Sequence, residues 1–403
     1  MDKLKIRAYS IRFGDAFLIS VPDRGPGGVV ETRHILVDVG NVLNKEGGRD
    51  DVFQPVVKNI LEVLNGKPLD LYIMTHEHMD HTQGLHYADV HYYPNEDLIK
   101  KLKVRYAWLT ASSAEDYYDY HPDAKKKKLE MEEMYMAVQS YLSFLKASGE
   151  ELPGPMVALM LNNNPRSTKE NVKYLRKLAD NTCYVYRGFN PNGNHPFHEA
   201  QFEIWAPEED TSIYYTRLRS MALGIKKAGK GKGESILAEM TPPSGVDAGA
   251  FYNLTQHRRG YIENLLAIDK AANNSSIVFC LKWRGWKLLF TGDAEVRSWK
   301  KMNEKGVLKQ VHFLKISHHG SHNGTPEPSL LNKVLPIGPQ DVRRRVSLVT
   351  TWRGTYNNVP DRDTLSIYDP AVPVGQRRCD ELHLLDETMQ VGTFKDIEFE
   401  DLC

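Results

Sequence analysis

One short segment constrains this chain more than any other. The apolar run Leu71–Met74 leads through Thr75 into His76-Glu77-His78-Met79-Asp80-His81, which puts four metal-ligand residue types into six positions. In extended backbone, residues two apart project to the same side, so His76 and His78 can grip one cation. Asp80 and His81 fall where the chain turns towards a helix and can face a neighbouring position. Imidazole nitrogens with a carboxylate oxygen suit zinc first, and also manganese or iron. The competing reading is a polar loop that happens to be rich in histidine, and the buried-type strand that delivers the cluster weighs against it.

The surrounding pattern is α/β. Strands are expected at Lys3–Arg12 and Phe17–Val21, around the corner Gly14-Asp15-Ala16, and at His34–Val39. Val52, Val56, Ile60 and Leu64 recur at helical spacing over Asp51–Leu64, and Asn65-Gly66 stops that helix. A polar cluster at the C-terminal end of a strand, after strand, helix and strand, suggests a layered α/β site. The middle of the chain reads as more helical, with helices over Ala124–Lys146 and Thr168–Ala179 and strands at Thr182–Tyr186 and Gln201–Trp205. Strand character returns at Ser276–Lys282, Trp286–Phe290, Val311–Ile316 and Arg345–Thr350, with a helix over Ser329–Leu335. With no repeat and no flexible linker, the expectation is one domain over 1–403. It would carry a large, mostly helical insertion at about 95–272 and an acidic tail at about 380–403.

The second half echoes the first cluster. Strand Trp286–Phe290 ends at Thr291-Gly292-Asp293, and strand Val311–Ile316 ends at Ser317-His318-His319-Gly320-Ser321. Asp293 alone could be the N-cap of a helix over Ala294–Met302. A strand-end carboxylate followed by a strand-end histidine pair, however, is the layout expected for closing one site from two halves of a sandwich.

Composition excludes several classes. Of 403 residues, 41% are hydrophobic and 26% charged, which is enough apolar material for a sizeable core. No run approaches a membrane span and the first twenty residues have no apolar signal core, so a cytoplasmic protein with no membrane partner is expected. The four cysteines, Cys183, Cys280, Cys379 and Cys403, form no CxxC pair, which argues against a zinc ribbon and a disulfide framework. Formal net charge is zero, so any nucleic-acid surface must be a local basic patch.

Taken together, six segments resemble the metallo-β-lactamase superfamily, and within it the hydrolase domain of ComEC-type DNA-uptake proteins. They are Gly14-Asp15-Ala16-Phe17-Leu18-Ile19, Ile35-Leu36-Val37-Asp38-Val39-Gly40, Thr75-His76-Glu77-His78-Met79-Asp80-His81, Asn273-Asn274-Ser275-Ser276, Thr291-Gly292-Asp293-Ala294-Glu295 and His318-His319-Gly320-Ser321, in family order. The resemblance implies an αββα sandwich holding two divalent metal ions. His76 and His78 would hold the first with one of His318 and His319, Asp80 and His81 the second, and Asp293 would bridge. Asp38 would support the ligands by hydrogen bonding, and Asn273 and Asn274 would stand behind the metals where many members have a histidine. Val359-Pro360 replaces a late His-Pro of ComEC-like members, which leaves the second metal short of a ligand. The membrane channel of those proteins has no counterpart, so DNA transport is not implied.

Two cations about 3.5–4 Å apart would bring the pKa of a shared water towards neutrality. Asp80 and Asp293 are then the expected catalytic carboxylates, and His322 a candidate proton donor unless it is merely an exposed loop residue. Arg217, Arg219, Lys226, Lys227, Lys230 and Lys232 lie in a stretch without acidic residues and could track a phosphate backbone, with Trp205, Tyr214 and Tyr215 available for stacking. A solvated loop is the bland alternative. The leading expectation is a phosphodiesterase or nuclease acting on DNA. The alternatives are a small-molecule hydrolase (of a phosphodiester, a cyclic nucleotide or a lactone) and a metal-stabilised binding or regulatory module.

Overall fold

The computed structural model describes residues 2–41, 52–147, 149, 154–216, 218, 248–338, 343–356 and 358–401. Strands β1 (Lys3–Tyr9), β2 (Ala16–Arg24) and β3 (Val30–Val39) form an antiparallel meander. Strands β4 (Leu71–Ile73), β5 (Val104–Thr110) and β6 (Ala179–Val185) continue the same sheet in parallel. The second sheet repeats that scheme. Strands β7 (Gln201–Ala206), β8 (Val278–Trp283) and β9 (Trp286–Phe290) are antiparallel; β10 (Phe313–Lys315), β11 (Val346–Thr350) and β12 (Glu381–Leu385) are parallel. Strand β13 (Phe394–Glu400) returns to the free edge of β1, giving a seven-stranded sheet against a six-stranded one.

Helices fill the crossovers that parallel strands require. Helix α1 (Phe53–Leu64) joins β3 to β4; α2 (Met79–Tyr92) and α3 (Leu98–Leu102) join β4 to β5. Between β5 and β6 lie α4 (Tyr117–Tyr120), α5 (Pro122–Ala147), α6 (Gly154–Asn162) and α7 (Pro165–Leu175). The long α8 (Ala248–Asn274) precedes β8, α9 (Val296–Glu304) follows β9, α10 (Pro328–Val334) follows β10, and α11 (Arg362–Ser366) follows β11.

Side-chain alternation sets the layers. Ile6, Phe17 and Ile35 of the first sheet pack against Phe279, Leu288 and Phe313 of the second in one buried core. The outer face of the first sheet, with Leu18, Leu36 and Tyr72, packs on Val56 and Ile60 of α1 and Leu85 of α2. The outer face of the second, with Cys280, Leu289 and Leu314, packs on Trp299 and Met302 of α9 and Leu331 of α10. The result is helix, sheet, sheet, helix. Helix α1 shows what holds these layers: it has no side-chain N-cap bond, but it buries Phe53, Val56, Val57, Ile60 and Leu64. At about 1.5–3 kcal/mol for each large apolar side chain, packing outweighs the roughly 1 kcal/mol that a cap supplies.

Three expectations change. The range expected as an insertion supplies β5, β6 and β7 to the two sheets as well as helices. The helix expected over Thr168–Ala179 starts earlier and ends earlier. Asn164 caps α7 ahead of Pro165, and Ala179 already belongs to β6, where it pairs with Val104. The acid-rich tail is a sheet edge: Asp396, Glu398 and Glu400 lie opposite Arg7, Lys5 and Lys3, while Ile397 and Phe399 turn into the core. Among the described residues, no helix is long and apolar enough to cross a membrane.

Candidate metal centre

Each sheet changes from antiparallel to parallel at the strands that carry the motif residues. In the first sheet Asp38 lies near the end of β3 and the histidine run follows β4; in the second, Asp293 follows β9 and His319 follows β10. Such switch points leave a crevice at the C-terminal strand ends. Glycine lets the backbones close on it. A Cβ at Gly14 would lie 2.0 Å from Gly40 O, and one at Gly40 would lie 2.4 Å from His81 N, so neither position accepts a side chain. The corner holding Gly14 is fixed by Asp15 N donating to Asp80 O at 3.1 Å.

Asp80, His81, Asp293 and His319 converge with one ligand atom each, all within 4.8 Å, and all four side chains are buried. His76, His78 and Asp80 form a second such group. Asp80 is therefore the carboxylate common to both. Asp293, expected as the bridge, presents Oδ2 to His319 Nε2 at 3.1 Å and His81 Nε2 at 3.4 Å, while its Oδ1 lies 3.1 Å from Lys315 Nζ. Nor is Asp293 a helix cap, since the residue preceding α9 is Glu295, which makes no side-chain cap bond.

Ring orientation follows from hydrogen bonding. Asp38 accepts from Thr75 N at 2.8 Å, Thr75 Oγ1 at 2.6 Å and His81 Nδ1 at 2.8 Å. His319 Nδ1 donates to Thr350 O at 3.0 Å. Both rings thus use Nδ1 as a donor and turn Nε2 towards Asp80 and Asp293; burial alone would lower the two imidazoles, but Asp293 and its neighbouring carboxylates hold both above the ordinary histidine range. Neither Nε2 has a hydrogen-bond partner, and Asp80 Oδ1 has none either, although all three atoms are buried. Unpaired buried polar atoms are costly, and two imidazole nitrogens facing two carboxylates form a donor set that a shared cation can satisfy as well as protons can. These residues suit a metal ion.

The first triad has the same character. Asn163 Nδ2 donates to Leu159 O and Asp269, so its Oδ1 is the atom 2.9 Å from His78 Nε2, and that ring nitrogen carries the proton. His78 Nδ1 then faces His76 Nε2 at 3.0 Å. Burial, together with the nearby His81 and His78, holds His76 well below the ordinary histidine range, in the neutral form that ligates.

Two residues at the centre carried no role in the sequence reading. Lys315 is 1% exposed, with Nζ 2.5 Å from Asp15 Oδ2 and 3.1 Å from Asp293 Oδ1, and it donates to Gly292 O at 3.0 Å. Burial would lift Asp293, but His319, Lys315 and His81 more than offset it and hold the carboxyl well below its usual range. A lysine inside the apolar run Val311–Ile316 was the available signal, because a charge is rarely buried unless it is paired.

His318 and His319 separate. Both adopt positive φ, 49° and 52°, and Gly320 follows at 75°, a left-handed sequence that costs roughly 1–2 kcal/mol per non-glycine residue. The turn sends His319 to Asp80, His81 and Asp293 and His318 towards Asp269 and Glu295, so neither histidine of the pair groups with His76 and His78, as one of them was expected to. Asn273 donates to Asp269 and Glu295, and Asn274 accepts from Ser298 N at 2.8 Å at the start of α9; Asn274 is thus part of the helix junction. His322 is exposed and is not gathered into any of these groups. Arg217, Arg219, Lys226, Lys227, Lys230 and Lys232 lie outside the described residues.

A cavity of about 460 Å³ adjoins Asp80, walled by Met156, Leu159 and Asn162 of α6 and Ile262, Leu266 and Asp269 of α8. Val359 lines it as well, where the resemblance would place a histidine. Helices α5, α6 and α8 share their own apolar cluster, including Tyr135, Val138, Met156 and Leu265, so the wall is packed independently of the sheets. In comparisons with known proteins, the chain matches no protein-family model and no curated protein.

Proposed function

We propose that this chain is a metal-dependent hydrolase of the metallo-β-lactamase kind and that it cleaves phosphodiester bonds. The observation that supports this most is the aim of His81 and His319, whose unpartnered Nε2 atoms face the same two buried carboxylates. His76, His78, Asp80, His81, Asp293 and His319 would hold divalent cations, with zinc first and manganese or iron as alternatives, and such cations would supply an acidified water and offset charge on the phosphoryl oxygen. Asp80 Oδ1, buried and without a donor, can orient that water. Asp38 and Thr350 fix the His81 and His319 rings, and Lys315 pairs with Asp293 at 3.1 Å.

The sequence resemblance favours DNA as the substrate, and with it the nuclease reading. The cavity favours a compact substrate instead, because its described lining is largely apolar and carries one lysine, Lys270, in place of a basic groove. We therefore place a small phosphodiester, such as a cyclic nucleotide, ahead of the polymer. The test is turnover of a chromogenic phosphodiester, cyclic nucleotides, and single- and double-stranded DNA, each with zinc or manganese. Hydrolysis of the small esters alone is the expected outcome. Cutting of DNA would restore the nuclease reading, and inertness towards every ester would reject phosphodiester hydrolysis.

A further inference from the structure

The group formed by Asp269, Glu295 and His318 adjoins the centre described above: Asp269 accepts from Asn163, the partner of His78, and its Oδ1 lies 3.8 Å from His78 Nε2. Asp269 comes from the last turns of α8, Glu295 immediately precedes α9, and His318 lies in the turn after β10. One ligand atom from each lies within 4.8 Å of the others. Both carboxylates are buried, whereas the His318 side chain remains 19% exposed, and all three residues line the cavity beside Asp80. The His318 and His319 ring centroids lie 6.3 Å apart.

Proton donors at this group do not balance its acceptors. Asn273 Nδ2 lies 3.1 Å from Asp269 Oδ2, 3.0 Å from Glu295 Oε1 and 3.2 Å from His318 Nε2. An amide nitrogen has two hydrogens, and the two carboxylates take both, so Asn273 has none to give His318 Nε2. The other end of the same amide fails in the opposite sense: Asn273 is 1% exposed and its Oδ1 has no partner. Half a turn of the amide would instead bring Oδ1 beside the two carboxylates and Nε2, where one cation could take all four as ligands.

We propose that Asp269, Glu295, His318 and Asn273 form a further divalent-cation site in the cavity wall, beside the His/Asp centre. Three oxygen ligands and one imidazole suit manganese, with open positions left towards the cavity. The rival is a proton shared within the cluster.

The probe is Mn2+ itself, counted by elemental analysis after equilibrium dialysis of the full chain. Asp269→Asn/Glu295→Gln keeps side-chain volume and removes the charge; Asp80→Asn/His319→Ala disables the centre. The expected result is one fewer Mn2+ in the first variant than in the wild type, with that ion retained in the second. Crystals of wild-type protein grown with Mn2+ should show anomalous density within bonding distance of His318 Nε2 and Glu295. Equal Mn2+ counts in the wild type and the first variant, or no such density, would overturn the proposal in favour of a shared proton. Because the ion is counted in protein whose centre is disabled, failure of the hydrolase reading leaves this result legible.

Discussion

The two sheets reach the centre by different routes. The first delivers His76, His78, Asp80 and His81 in one unbroken run, where extended backbone passes into α2 at His78 (φ −67°, ψ 153°). The second assembles its share from separate places: Asp293 after β9, Lys315 at the end of β10, and His319 in a left-handed turn. Both sheets nonetheless have the same order of antiparallel and parallel strands, and both meet the centre where that order changes. Local chain geometry can therefore place the residues of the candidate centre in the first half, whereas the second half depends on long-range packing to hold them.

If both halves serve one centre, removing a ligand from either should be equally damaging. Asp80→Asn and His319→Ala should each lower turnover by on the order of 10⁴-fold, and the double variant should be little worse than either. Additive losses in steady-state kinetics would separate the halves into two independent sites. The next effect should fall on the second half alone. Lys315→Met leaves Asp15 and Asp293 buried without their cation, so metal-free protein should lose about 3–5 kcal/mol in denaturant unfolding. A loss under about 1 kcal/mol, the size of an exposed ion pair, would mean that the lysine is dispensable to the fold. The smallest change should come from the first half's support: Asp38→Asn releases His81 Nδ1 and should weaken metal binding by roughly 10–100-fold without unfolding the chain. Titration calorimetry giving wild-type affinity would show that Thr75 and Asp15 orient the ring unaided.

That same contrast explains what could be read from the sequence. The histidine run, Asp293 and the strand Trp286–Phe290 were legible because the signal is local: residue type, spacing of two, and an apolar strand beforehand. Asp38 was legible from the resemblance alone. The choice between His318 and His319 was not, because it turns on two positive φ values that no side-chain pattern encodes. The ion pair of Asp15 with Lys315 joins residues three hundred positions apart, and each looks unremarkable in its own segment. Glu295 and Asp269 were hidden for a similar reason, since each reads as an ordinary helical acid until α8, α9 and the His318 turn are packed together. The edge strand β13 was obscured by its charge. Its alternation of Ile397 and Phe399 with acidic residues marks a strand, and the acids find partners only once β1 lies beside them.

That pairing of β13 with β1 has a kinetic consequence. Lys3 meets Glu398 across 395 positions, so the first sheet cannot complete its edge until nearly all of the described chain has been made. Closing so long a loop costs entropy before any contact rewards it, and folds dominated by such contacts form slowly. Until then β1 offers an unpaired edge with Lys3, Lys5 and Arg7 along it, and positive charge on a bare edge discourages pairing between chains. The basic residues that later bind β13 thus also guard the nascent sheet against aggregation while it waits for its last strand.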